Sequence, residues 1–152
     1  MEDLSLHILD IAQNAIRADA KKIMIKIMED EVEDKLILSI EDDGKGMDEQ
    51  MLQRAKDSFF TTKDDKKFGL GLAFLSQAAE ETTGSLTIEP AKPKGTKVTA
   101  VFKPNHPDMK PMGDIPGTMS TLVAANPAVQ FIFDYKKADY NYHFDSFEQH
   151  SQ

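Results

Sequence analysis

The sequence predicts a mixed α/β domain of the α+β type with a short C-terminal appendage. Stretches whose apolar residues recur at helical spacing are interspersed with pairs of stretches in which apolar and polar residues alternate. The chain has 152 residues, of which 40% are hydrophobic. That is enough for one domain with a substantial core and too little for two.

The first part of the chain predicts a helix followed by a β-hairpin. From Leu4 to Ala18, apolar residues recur at helical spacing, and Gly and Pro are absent. IMIKIM (23–28) and KLILSIED (35–42) are rich in β-branched residues and alternate in polarity. The acidic segment EDEVED joins them, so we expect two antiparallel strands.

The middle of the chain predicts two helices and a second strand pair. MDEQMLQRAKDSF (47–59) has the pattern of a second helix, and GLGLAFLSQAAEETT (69–83) that of a third, which we expect Gly84 to end. SLTIEP (85–90) and TKVTAVF (96–102) alternate as strands around the turn AKPKG. We place the main domain at residues 1–104.

Residues 105–152 differ in composition and form the expected appendage. A Pro-rich linker leads to a short helix in GTMSTLVAANP, and VQFIFDY with YNYHFDSF predicts a hairpin around KKAD. All three tyrosines of the chain lie here, which is typical of a partner surface. The alternative, which we favour, is that they pack the appendage on or beside the main domain, because so small a segment would not fold alone.

Charge and composition exclude several classes of protein. The formal net charge is -8 and no basic face is evident, which argues against binding to a nucleic acid duplex. No stretch is long and apolar enough for a membrane span, and MEDLSLH lacks the features of a secretion signal. We therefore expect a cytoplasmic protein.

The first predicted helix carries a polar stripe made of His7, Asp10, Asn14 and Arg17, at spacings of three, four and three. One interpretation is the solvent-facing edge of an ordinary amphipathic helix. The other is a magnesium-nucleotide site, because an amide oxygen can ligate a hard cation and a carboxylate one turn away can take up a proton.

The stretch IEDDGKGM ends a predicted strand with Asp42, Asp43, Gly44 and Gly46. It is either a tight acidic turn or a site where a carboxylate accepts a hydrogen bond from a base while glycines let the backbone approach a flat ring. The ligand spacing of a calcium loop is missing.

SFFTTKDDKKFGLGLAF (58–74) changes from a charged run to two glycines that open a helix. It is either a surface loop or a cover over a bound phosphate chain, since a helix start favours anions. Neither a Walker lysine pattern nor a dinucleotide fingerprint is present.

Together, in order, these stretches resemble the ATP-binding domain of the GHKL superfamily, which includes gyrase, the large heat-shock chaperone, sensor histidine kinases and MutL. DIAQNAIRADAKKIMI looks like its N box, IEDDGKGM and FGLGLA like its two glycine boxes, and SFFTTK like the F box of histidine kinases. GTKVTAVF looks like its closing strand, and the resemblance runs from Leu4 to Pro104.

The resemblance implies a two-layer sandwich, with helices on one face of a mixed sheet, and it implies roles for single residues. Asn14 would ligate Mg²⁺ at the ATP phosphates, and Asp10 would be the general base. Asp42 would receive the adenine amine. The charged half of the stretch 58–74 would form a lid over the ATP phosphates. The remaining nucleotide-binding residues would be Gly44, Gly46, Lys63, Gly69, Leu70, Gly71 and Thr96.

Four departures from the family pattern narrow the range of expected functions. Asp10 is one methylene shorter than the usual Glu, and Arg17 stands where gyrase-like and MutL-like members often have Asp. The N box begins almost at residue 1, so we expect any phosphoacceptor to lie on another protein. The appendage is too short for the transducer domain of a gyrase-like clamp.

Three hypotheses for the function follow. The protein could be a regulatory kinase acting on a separate partner, a slow Mg²⁺-dependent ATPase, or an ATP-gated protein-binding module resembling anti-sigma factors, with little or no catalysis. The expectation leans towards an enzyme, and a homodimer is left open. Substitution of Asp10 by Asn would separate the first two hypotheses from the third.

Overall fold

The computed structural model describes residues 3–45, 70–91 and 93–148. The predicted helix at 47–59 and the predicted lid therefore lie outside the described residues, as do Gly46, Lys63 and Gly69. The described elements, in chain order, are α1 (Leu4–Arg17), β1 (Lys22–Asp30), β2 (Lys35–Asp42), α2 (Leu70–Glu81), β3 (Ser85–Pro90), β4 (Thr96–Phe102), α3 (Ile115–Ala125), β5 (Gln130–Lys137) and β6 (Tyr140–Asp145).

The described strands form one mixed sheet in the order β3-β4-β2-β1-β5-β6. β1 pairs in parallel with β5, and every other neighbouring pair in this sheet is antiparallel. The expected fold class, a two-layer α+β sandwich, is confirmed. Pairing of β1 with β2 aligns Ile23 with Asp42, so the acidic end of β2 lies beside the start of β1.

One face of the sheet forms the core. On β1, Ile23, Ile25 and Ile27 are buried while the intervening side chains are not, which is the alternation that the sequence predicts. The helices cover this face. α1 begins at Asp3, whose side chain accepts a hydrogen bond from the Leu6 amide at 2.9 Å, as expected of an N-cap residue.

The C-terminal strands extend the same sheet. β5 lies next to β1, with Ile25 opposite Phe133, and β6 is the outer strand on that side. α3 packs against α1, and the amides of Leu4 and Ser5 donate to the carbonyls of Pro111 and Met112. The start of α1 is therefore held by the segment that leads into α3.

The end of α2 differs in detail from the sequence prediction. The left-handed residue is Thr83, with φ of 67°, rather than Gly84. Gly84 is required for another reason, because a Cβ there would lie 1.8 Å from the carbonyl oxygen of Val101. None of the helices in the described ranges has the length and apolar character needed to cross a membrane.

Candidate functional site

The polar stripe of α1 does not lie on one surface. Asp10 and Arg17 are exposed and Asn14 is half-buried, but His7 is only 2% exposed and belongs to the interior. The interpretation of the stripe as a wholly solvent-facing edge is therefore wrong at His7. Arg17 Nη1 donates a hydrogen bond to Asn14 Oδ1 at 2.7 Å, so the amide oxygen is held in place.

The first turn of α2 lies directly against this stripe. A Cβ built on Gly71 would stand 3.5 Å from Asp10 Cβ and 3.6 Å from Asn14 Nδ2. Glycine therefore keeps the space between the two helices clear of a side chain. The first amides of a helix have no partner within the helix and carry a partial positive charge, so this turn can bind an anion next to Asp10 and Asn14.

The end of β2 forms the second half of the site. Asp42 is half-buried, and its Oδ1 accepts a hydrogen bond from the Gly44 amide at 2.8 Å. Burial raises the pKa of Asp42 above its ordinary value, although the bond from Gly44 acts in the opposite direction. Such a carboxylate gains from a hydrogen-bond donor, because burial has removed part of its hydration.

Asp43 has a different role from its neighbour. Its Oδ1 accepts hydrogen bonds from the amides of Lys21 and Lys22 at 2.8 and 2.9 Å, at the point where the chain enters β1. Burial acts to raise the pKa of Asp43, but these backbone bonds outweigh it and the pKa is lowered. Asp43 therefore stabilises the fold beside the site, and Asp42 is the carboxylate that remains for a ligand.

The turn before β4 closes tightly on Asp42. Gly95 has φ of +110°, and a Cβ there would lie 1.8 Å from the carbonyl oxygen of Asp42. Thr96, the next residue, is 8% exposed and lies opposite Asp42 in the β2–β4 register. Gly95 thus lets β4 bring Thr96 to the same strand end as Asp42.

α1 connects the two halves. Ala18 is the C-cap of α1, one turn after Asn14, and its carbonyl accepts the Lys45 amide at 2.8 Å. A Cβ on Gly44 would lie 2.8 Å from the same carbonyl, so Gly44 is needed for this close approach. The segment after β2 is therefore packed on the end of the helix that carries Asn14.

The structure accordingly groups the expected residues into two sets. Asp10, Asn14 and Gly71 meet at the helix pair, and Asp42, Gly44 and Thr96 meet at the strand end. Leu70 is the first residue of α2. Gly46, Lys63 and Gly69 lie outside the described residues.

Sequence reasoning missed two features of the site. The bond from Arg17 to Asn14 could have been expected, because residues three apart on a helix are neighbours. The contact of Gly95 with the Asp42 carbonyl could not, because it depends on the pairing of β2 with β4 and on a positive φ.

The described residues could hold Mg²⁺ only if phosphate oxygens and water supplied the other ligands. Among them there is no cluster of three or more His, Asp or Glu side chains that could hold a metal ion. Asn14 offers one amide oxygen, which currently accepts the hydrogen bond from Arg17. Mg²⁺ commonly uses one or two protein ligands together with substrate phosphates and water, and Asn14 suits that arrangement.

Comparison with known proteins relates the chain to one family of ATPases. The model of the family described as histidine kinase-, DNA gyrase B-, and HSP90-like ATPase matches residues 2–106. Sporulation kinase E of Bacillus subtilis (strain 168) is 34% identical over 90 residues, which are 58% of this chain and 12% of that protein. Sensor histidine kinase ZraS of Klebsiella oxytoca is 33% identical over 93 residues, covering 60% of this chain and 20% of that protein.

The fold also matches a solved structure. The Aquifex aeolicus MutL ATPase domain complexed with ADP superposes with a TM-score of 0.57 at 15% identity, covering 90% of this chain and 60% of that one. At this level of identity the likeness concerns the fold. The chain spans a fifth or less of the two kinase relatives, so it corresponds to a part of those proteins.

Proposed function

Because the chain belongs to the family of histidine kinase-, DNA gyrase B- and HSP90-like ATPases, we propose that it binds ATP with Mg²⁺ and transfers the γ-phosphate. The acceptor is a side chain of a separate partner protein, such as one with a hydroxyl. In a slower reaction, the acceptor is water. The observation that carries the proposal is the contact of Gly71 with Asp10 and Asn14, which puts a helix start beside a carboxylate and an amide. We expect the protein to work in the cytoplasm.

The strand end supplies the proposed adenine site. Asp42 would accept a hydrogen bond from the exocyclic amine of adenine, which suits a carboxylate that burial has partly dehydrated. Gly44, with Gly46 after it, would let the ring approach the backbone, and Thr96 would support the ring from β4. A guanine base has a carbonyl oxygen where adenine has its amine, so Asp42 would disfavour GTP.

The helix pair supplies the proposed phosphate site. The first turn of α2, with Gly69, Leu70 and Gly71, would bind the phosphates through its backbone amides. Lys63 would reach the terminal phosphate. Asn14 would hold Mg²⁺ together with phosphate oxygens, and the bound ion would neutralise phosphate charge. Arg17 would orient the Asn14 amide through its hydrogen bond.

Asp10 is the proposed general base. Its side chain is exposed on α1 one turn before Asn14, so an acceptor group from another protein can approach it. A bond would form between the acceptor oxygen and the γ-phosphorus as the bond to the bridging oxygen of ADP breaks. The proton of the acceptor would pass to the Asp10 carboxylate.

A thermal shift experiment tests the nucleotide site. Mg²⁺-ATP should raise the melting temperature of the wild-type protein, and Mg²⁺-GTP should raise it much less. The Asp42→Asn variant should remain folded and lose most of the ATP shift. An ATP shift that is equal in wild type and Asp42→Asn would exclude the adenine site as placed here.

Measurement of ADP formation tests the chemistry. Asp10→Asn should keep the ATP-induced thermal shift and lose at least about a hundredfold in ADP formation, the typical contribution of a general base. Glu80→Gln, an exposed substitution farther along α2, is the control and should leave both unchanged. Unaltered ADP formation by Asp10→Asn would contradict the proposed base, whereas no ADP formation by the wild-type protein would favour the ATP-gated binding module.

A further inference from the structure

A second concave site lies between α3 and the helix-facing side of β5 and β6. It has a volume of about 700 Å³, and we call it the aromatic cavity. Its sheet side is built from two cross-strand pairs, Phe133 with Phe144 and Tyr135 with Tyr142. Met119 on α3 forms part of the opposite wall.

The aromatic cavity is separate from the nucleotide site. It reaches β1 at Ile27, whereas Asp42 lies opposite Ile23, four residues nearer the start of that strand. Four residues of a strand correspond to about 13 Å. Within the described ranges, none of the residues that line the cavity is assigned to the nucleotide site.

Its size and lining suit a small lipophilic molecule. Cavities that bind such ligands measure roughly 300–1,000 Å³ and are mainly apolar, with a few polar groups that orient the ligand. Among the described residues, no charged side chain lines the aromatic cavity, and the polar side chains in its wall are hydroxyls, from one serine and three tyrosines. Burying an apolar ligand there would also cover Tyr140 and Tyr142, which are 58% and 46% exposed.

The surrounding charges define the polar end of the ligand. The Tyr135 hydroxyl donates its proton to Glu29 Oε2 at 2.5 Å, so its oxygen is left to accept a hydrogen bond. Lys137 in turn is paired with Glu31 at 3.4 Å, which offsets its charge. Asp114 stands in the chain between the lining residues Gly113 and Ile115. The carboxylates of Glu29 and Asp114 would repel an anion and would favour a ligand with a neutral or positively charged hydrogen-bond donor.

We propose that the aromatic cavity binds a lipophilic small molecule that has a hydrogen-bond donor at its polar end and no negative charge. The ligand would bind apart from the described residues assigned to ATP. Its ligand would insert its apolar part between Met119 and the Phe133–Phe144 pair and direct its donor to the Tyr135 oxygen. An alcohol or an amine on a hydrocarbon body has this chemistry, and a fatty acid does not.

Intrinsic fluorescence gives a direct test, because the chain has three tyrosines and no tryptophan, and all three tyrosines line the cavity. Decylamine, decanol and decanoate, each titrated below its micelle concentration or its solubility limit, share one chain and differ in the head group. Decylamine and decanol should change the tyrosine emission saturably, and decanoate should bind at least tenfold more weakly. No saturable change with any of the three, or equal binding of decanoate and decylamine, would overturn the proposal.

Two neighbouring alanines of α3 supply a matched pair of variants. Ala124 and Ala125 are both exposed, and only Ala124 lines the cavity. Ala124→Phe should weaken decylamine binding at least tenfold, while Ala125→Phe should bind as the wild type does. Equal loss in both variants would overturn the assignment. So would a wild-type dimer, seen by sedimentation, that Ala124→Phe alone dissociates, because a second copy would then occupy the cavity.

Discussion

Gly71 at the start of α2 lies against Asn14 in the last turn of α1, at a distance where an added Cβ would be 3.6 Å from the amide nitrogen. That distance is an ordinary van der Waals contact, so the two helices could tolerate a methyl group in the absence of ligand. A phosphate bound at the start of α2 would need the same space. A methyl group at position 71 should therefore be compatible with folding and should interfere with nucleotide binding.

Gly71→Ala tests this expectation. Alanine stabilises a helix relative to glycine by about 0.5–1 kcal/mol, so the variant without nucleotide should melt at the same temperature as the wild type or slightly higher. Its affinity for Mg²⁺-ATP should fall at least about tenfold, or about 1.4 kcal/mol. Calorimetric unfolding and ATP titration measure the two effects. A lower melting temperature with full ATP affinity would contradict the assignment.

Asp42→Asn should stabilise the protein without nucleotide at neutral pH. Burial raises the pKa of Asp42 above its unfolded value of 3.8, so the folded state binds the proton more tightly than the unfolded chain does. Its ionisation therefore lowers the free energy of unfolding as the pH rises through the folded pKa. Asparagine cannot ionise, so the variant avoids this loss of stability. It also keeps the oxygen that accepts the hydrogen bond from the Gly44 amide. Urea unfolding at several pH values should show the difference vanishing below pH 3.8.

Asp43→Asn should have the opposite effect and is the matched control. The pKa of Asp43 is lowered, because the backbone bonds from Lys21 and Lys22 outweigh burial. Its ionised form therefore stabilises the fold above pH 3.8, and that stability is lost as the pH falls through the folded pKa. The variant should unfold at lower urea concentration at pH 7. If both substitutions changed the free energy of unfolding in the same direction, the two neighbouring carboxylates would share one environment.

Gly95→Ala should destabilise the whole domain. The residue has φ of +110°, and the new Cβ would be 1.8 Å from the Asp42 carbonyl oxygen, so β2 and β4 would have to separate locally. We expect a loss of about 3 kcal/mol or more in the free energy of unfolding. Lys94→Ala, at the exposed neighbouring position, should change it by less than about 0.5 kcal/mol. Equal stability of the two variants would contradict the described turn.

Tyr135 should titrate well above the ordinary range of a phenol. Burial and the hydrogen bond to Glu29 raise its pKa from 10.0 to about 12. The unfolded chain loses this proton first, so the free energy of unfolding should fall as the pH rises from 10 towards 12. Absorbance of the phenolate against pH should show one late step that Tyr135→Phe abolishes. Glu29→Gln should move that step to lower pH, whereas Glu33→Gln should not.

Local pattern explains why most described elements could be predicted. The alternation of Ile23, Ile25 and Ile27 indicates a half-buried strand, and helical spacing indicates α1 before any neighbour is known. The grouping of Asp10 with Asn14 follows from the same helical geometry. These predictions hold because each depends on residues only a few positions apart.

Contacts between distant segments could not be predicted in this way. The parallel pairing of β5 with β1 has no local signal, because VQFIFDY has the same alternation whether it lies inside or at the edge of a sheet. The burial of His7 likewise depends on what packs over α1. The aromatic cavity arises only when α3 and the hairpin meet, so the sequence showed its tyrosines without showing the space between them.

The place of β5 in the sheet also constrains the order of folding. Lys22 of β1 pairs with Gln130 of β5, so the sheet joins residues 108 positions apart. Such distant pairing slows folding, because a long loop must close before the contact forms. During synthesis, β1 would pair with β2 early and would keep its other edge open until β5 leaves the ribosome. That edge of β1 is therefore open to aggregation in the interval before β5 arrives.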